Sequence, residues 1–211
     1  LEFEVNGRAA FRLPMLGEHN ASNALAALAV ARRFNIDDDI ARAGLAQVRP
    51  PEMRMHRLRL GGIDLYNDAY NASPESTIAA IRAFADLSRA STRRVVVLGD
   101  MLELGDHSHA AHEEIAGVLL EAGAPDMLIT IGPGALIVAD AVTRAAPRCR
   151  VVMLSELDDA AAVRTAQRFQ PGDAVLLKAS RRMGLERIER ALRASAGSSS
   201  AADPTRLSIA G

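Results

Sequence analysis

Lysine is almost missing from this chain: of its 25 basic residues, 24 are arginine and one, Lys178, is lysine. Two readings of Lys178 stand open: a chance survivor of an arginine-rich composition, or a position that needs a compact ammonium where a planar guanidinium would not fit. Cysteine is as scarce. The single Cys149 excludes an internal disulfide and any cysteine-built metal cage, and it points to a reducing, cytoplasmic setting. No apolar run approaches the ~18–20 residues that span a bilayer, and no basic-then-apolar opening suggests secretion. A net charge of −1 gives no global pull toward nucleic acid or a membrane surface. Neither a Gly-x-x-x-x-Gly-Lys-Ser/Thr loop nor a Gly-x-Gly-x-x-Gly fingerprint occurs. If the protein uses ATP, the cradle for its β- and γ-phosphates must therefore lie upstream of Leu1. The chain also opens without Met, in a hairpin through Asn6-Gly7, so residues 1–14 read as the middle of a larger sheet and the chain as a fragment.

What is present is a chain of 211 residues, 49% hydrophobic, long enough for one or two cored domains. An Ala/Leu-rich helix is expected over about 20–34 and a shorter one over about 37–47, the latter with Asp37, Asp38 and Asp39 at its positive end. Arg49-Pro50-Pro51 interrupts regular structure and marks a boundary between residues 1–50 and 51–195. Beyond it, a hairpin through Gly61-Gly62 leads into a helix capped by Ser73 with Pro74 at its first position. Short apolar runs then alternate with 10–15-residue helical patterns to about residue 194. This alternation predicts an α/β fold, a Rossmann-like, mostly parallel sheet flanked by helices. The Ser/Ala-rich stretch 196–211 has no periodicity and reads as a disordered tail.

Polar chemistry gathers at strand-to-helix junctions. Tyr66-Asn67-Asp68-Ala69-Tyr70-Asn71 puts an acid, two amides and phenols where a strand ends and a helix begins, the place where α/β proteins bind ligands. Asp68 stands either as a turn residue or where a dinucleotide fold places the acid that accepts from ribose hydroxyls. Asn20 and Asn23, three apart at a helix start, share one face; they suit capping or the recognition of an adenine edge. Arg54 is either a solvated edge residue or a phosphate ligand at the boundary. Asp100 and Glu103 follow the next strand on a loop expected to face the crevice. His107, His109 and His112 stand close behind, as ordinary first-turn residues or as metal ligands. Lys178-Ala179-Ser180 ends the last strand, and Asp68, Asp100 and Lys178 should share one rim of the sheet.

Four segments in register carry a resemblance. Gly17-Glu18-His19-Asn20-Ala21-Ser22-Asn23-Ala24-Leu25-Ala26-Ala27 resembles a segment of the Mur ligases. Asp68 to Ser76, Leu98 to Gly105 with His112, and Lys178-Ala179-Ser180 with Met183 and Glu186 are similar to the family's D-alanyl-D-alanine-adding branch. The resemblance implies the end of a central ATPase domain over residues 1–50 and the family's C-terminal domain over 51–195. It implies ATP-dependent joining of D-alanyl-D-alanine to a UDP-N-acetylmuramoyl-tripeptide through an acyl phosphate, in cytoplasmic peptidoglycan synthesis. Carried over residue by residue, Asn20 and Asn23 would hold adenine, Asp68 the ribose and Arg54 the phosphates. Tyr70, Asn71, Lys178 and Ser180 would line the dipeptide side. The ligands of Mg²⁺, like the P-loop, would belong to the missing N-terminal part of the same enzyme, leaving this chain with no catalytic or metal residue and inactive alone. Ser73, Met53 and Ala179 depart from the family's Asn, Gly and Gly. Other readings are a diaminopimelate- or lysine-adding ligase, folylpolyglutamate synthase, or a non-catalytic nucleotide-binding module; the Tyr70–Pro74 segment points away from the first two.

Overall fold

The computed structural model describes residues 1–200. Strands β1 (Glu2–Val5) and β2 (Arg8–Arg12) form an antiparallel hairpin whose turn residues, Asn6 and Gly7, both take positive φ (54° and 64°), as a tight hairpin of natural twist requires. Helix α1 (His19–Arg33) and helix α2 (Asp38–Ala46) follow. The Asp37 side chain accepts the Asp39 backbone N–H and caps α2.

After the two prolines the chain builds one six-stranded sheet. Its strands are β3 (His56–Leu60), β4 (Ile63–Asp68), β5 (Arg93–Gly99), β6 (Met127–Ile131), β7 (Arg150–Leu154) and β8 (Asp173–Lys178). The order across the sheet is β3-β4-β8-β5-β6-β7, with only the β3–β4 pair antiparallel. The helices are α3 (Pro74–Leu87), α4 (Ser108–Glu121), α5 (Ala135–Ala145), α6 (Asp159–Ala166) and α7 (Glu186–Ser200). The Ser73 hydroxyl and Ser76 cap α3 reciprocally.

Alternation along the strands divides the core in two. Val96, Leu98, Leu128 and Leu176 pack beneath α3, α4 and α5 with Ile81, Phe84, Ile115 and Val138. Val95, Val97, Ile129, Val175 and Leu177 pack on the other face, against Ala162 of α6 and Ile188 and Leu192 of α7. Strands covered on both faces read as unbroken apolar runs, and that is why they were legible. Cys149 is free and buried, and that burial pushes its thiol pKa up.

The element sequence follows expectation, with one correction at the end. Helix α7 continues to Ser200, past the point where the disordered tail was expected to begin, and residues 201–211 lie outside the described residues. The Ser/Ala composition misled, because Ala is a strong helix former and a helix already anchored by Ile188 and Leu192 propagates through such a run.

Candidate active site

Strand β8, last in the chain, lies between β4 and β5. The helices that follow β4 and β5 cover one face of the sheet, and the helix that follows β8 covers the other. Chain segments therefore leave in opposite directions at the carboxyl ends of these three strands, which opens crevices on either side of β8.

On the β4 side, Asp68 and Lys178 are direct neighbours in the parallel ladder. The Lys178 ammonium, 3% exposed, lies 2.7 Å from Asp68 Oδ2 and donates to the Asn71 carbonyl at 2.7 Å. Asp68 Oδ1 accepts the Met55 backbone N–H at 2.8 Å. A buried cation is costly unless paired and hydrogen-bonded, and here two of its three donors are engaged. The scarce lysine thus sits where an ammonium's compactness counts.

A cleft of about 520 Å³ opens above this pair, bordered by Asn20, Asn23, Arg54, Asp68, Tyr70, Asn71 and Lys178. Of the eight residues to which the resemblance gives a ligand, seven meet there. Asn20 is buried; its amide donates to the Leu16 carbonyl at 2.7 Å, and its oxygen accepts from Asn23 at 3.1 Å. Asn20 therefore orients Asn23, which keeps an amide oxygen and an N–H for a ligand. The Arg54 guanidinium stacks over the Tyr70 ring at 4.3 Å. Met53 and Met55, on either side of Arg54, both take positive φ (59° and 48°). Met53 thus occupies a conformation that glycine adopts without strain. Glu75 and Ser76, in the first turn of α3, also border the cleft. The sequence reading passed over both, and their place just after the Ser73 cap was the available signal.

Ser180 stands apart. It borders a second crevice of about 250 Å³, on the β5 side of β8, with Leu102, Glu103, Arg181 and Arg182. Its hydroxyl accepts the Leu102 N–H at 2.9 Å, and its own N–H donates to the Asp100 carbonyl at 3.0 Å. Asn71 borders both crevices and is the link between them.

Asp100 corrects an expectation. Its carboxylate faces away from the crevice and accepts the Ala135 N–H at the start of α5, at 2.8 Å. A Cβ on Gly132 would fall 2.6 Å from that carboxylate, so the cap requires glycine there. His112 is buried as well. Its Nδ1–H donates to the Ser108 carbonyl at 2.7 Å, and its Nε2 accepts the Met101 N–H at 3.2 Å, which fixes the tautomer. His107 and His109 are exposed. Among the described residues, no group of three or more His, Cys, Asp or Glu is placed to hold a metal ion.

The sequence pattern of the family described as "Mur ligase, glutamate ligase domain" matches residues 53–181, more than half of the chain. The chain belongs to the Mur ligase family. Within it, the chain is 36% identical over 179 residues to the UDP-N-acetylmuramoyl-tripeptide–D-alanyl-D-alanine ligase of Bacillus subtilis, covering 84% of this chain and 38% of that protein. Among solved structures, the Thermotoga maritima MurF ligase in complex with ADP superposes with a TM-score of 0.70 at 26% identity, covering 90% of this chain and 42% of that one. A MurF from Acinetobacter baumannii gives a TM-score of 0.73 at 28% identity, covering 88% and 40%. This Mur ligase chain therefore spans about two fifths of the length of the relatives it matches. Among its described residues, no helix is long and apolar enough to cross a membrane.

Proposed function

We propose that this chain is the C-terminal part of a ligase that joins D-alanyl-D-alanine to a UDP-N-acetylmuramoyl-tripeptide at the expense of ATP, in the cytoplasm. Residues 1–50 complete a central ATP-binding domain, and the six-stranded domain supplies the opposite wall. The observation that carries this reading is the cleft shared across Pro50-Pro51, where Asn20 and Asn23 from one side face Arg54, Asp68 and Asn71 from the other.

Each residue has a task its chemistry suits. Asn23, steadied by Asn20, offers the donor-acceptor pair an adenine edge needs. Asp68, held by Lys178 and Met55 N–H, keeps lone pairs for ribose hydroxyls. Arg54 presents a planar fork to phosphate oxygens, and its stack on Tyr70 sets the angle of approach. Tyr70, Asn71 and the remaining N–H of Lys178 border the path toward the second crevice, where Ser180 waits for the dipeptide. Amide-bond formation by this route depends on positioning and charge neutralisation, and these residues supply both.

The residues present fit the base, sugar and outer phosphate oxygens of a nucleotide. The Mg²⁺ ligands and the phosphate cradle are assigned to the rest of the enzyme. The exposed apolar residues Leu25 of α1, Phe34 just after it and Ile40 of α2 are where that remainder packs.

The test is phosphate release by the full-length enzyme with ATP and the muramoyl tripeptide, comparing D-alanyl-D-alanine with single amino acids as acceptors. Release that depends on the dipeptide supports the reading; equal release with diaminopimelate or glutamate overturns it. The 211-residue chain alone is expected to release none.

A further inference from the structure

The junction that carries Asp68, Tyr70 and Asn71 begins where the sheet ends. Ladder pairing of β4 stops at Asn67 on the β3 side and at Asp68 on the β8 side. The next constraint on the backbone comes from Asn67 itself, which is fully buried on the face opposite Lys178. Its Oδ1 accepts the Ala69 N–H at 3.1 Å, closing a turn around Asp68. Its Nδ2 donates to Glu189 Oε2 of α7 at 2.5 Å. Glu189 is held in turn through its other oxygen by Arg193, at 2.8 Å.

A carboxamide has two nearly identical ends, and either can point either way. Glu189 removes that choice. An ionised carboxylate only accepts, so it draws the amide NH₂ toward α7 and leaves the oxygen for Ala69. A mostly buried carboxylate is an expensive way to fill space, and an apolar pair would pack at lower cost. What the pair supplies that an apolar pair does not is direction.

We propose that Asn67 and Glu189 are positioning residues for the ligation, a carboxylate–carboxamide pair behind the sheet that sets the turn presenting Asp68, Tyr70 and Asn71. The inference rests on the reading that this junction walls the ligation site. Neither residue borders the cleft, so both act only through the backbone they orient.

The experiment uses the full-length ligase with Glu189→Ala, Glu189→Asp and Glu189→Gln, measuring kcat and KM for ATP and for D-alanyl-D-alanine beside the melting temperature. Glu189→Ala is expected to raise both KM values about five- to tenfold, because misplacement by a fraction of an ångström is felt at the reacting atoms. Glu189→Asp keeps the charge but withdraws the acceptor by one methylene. It serves where Ala does not fold, with both KM values expected to rise about threefold. Glu189→Gln keeps the shape but can donate as well as accept, so either end of the Asn67 amide can face it, and both KM values are expected to rise about threefold. A lowered melting temperature with both KM values unchanged in Glu189→Ala, or in Glu189→Asp if Ala does not fold, overturns the proposal. An unaltered enzyme that shows no dipeptide-dependent turnover overturns the functional reading instead, so the two failures are distinct.

Discussion

Residues 1–50 and the six-stranded domain are built from similar residues and end in opposite conditions. In the domain, strands β5, β6 and β8 are sealed on both faces, and Val97, Leu128, Ile129 and Leu176 are fully buried. In residues 1–50, α2 buries no residue, and Phe34 and Ile40 are 73% and 66% exposed. An amphipathic helix is half of a contact, and the other half must come from a second layer. The domain covers both faces of its sheet; the N-terminal segment buries Phe11, Leu13 and Leu28 between its hairpin and helices and leaves Phe34 and Ile40 in solvent. The candidate cleft lies between a sealed structure and a more open one.

Three substitutions break or sharpen that contrast. Leu128→Ala, in the sealed core beneath α4, is expected to cost about 3 kcal/mol by removing buried methyl groups and leaving a cavity, as read by urea denaturation. Phe34→Ser separates the two conditions directly. In this chain it should leave the denaturation midpoint unmoved, whereas in the full-length enzyme, against the proposed second layer, it should cost about 2 kcal/mol. Equal small effects in both would mean that nothing packs on this face. Met53→Gly has the smallest effect. Relief of a left-handed side-chain conformation, less the added freedom of the unfolded chain, should stabilise by under about 1 kcal/mol. The same change should raise the KM for ATP, because a looser loop holds Arg54 less firmly over Tyr70.

The elements were legible because each carries a local signal. Ser73 and Pro74 announced α3, Gly61-Gly62 the second hairpin, and the valines and leucines of β5 and β8 their burial on both faces. The candidate site was legible as a set of residue types at strand ends. What local signals do not carry is which strand neighbours which. The insertion of β8 between β4 and β5 makes Asp68 and Lys178 partners and divides Ser180 from Tyr70, and both follow from sheet order alone. Asp100 misled for a related reason: an acid after a strand looks the same whether it faces a crevice or caps the next helix. Asn67 was visible as one amide among several, but its partner lies 122 positions away on α7, and only the folded sheet brings them together.

The place of β8 also governs when this domain takes shape during synthesis. The strand completed last belongs at the centre, so β4 and β5 emerge with no partner between them and wait while residues 69–172 and 100–172, respectively, are added. Until residue 178 leaves the ribosome, two apolar strand edges face solvent or one another, the condition that invites mispairing and capture by chaperones. Folding here is gated by the final strand, and every shorter nascent chain is a sheet with its middle missing.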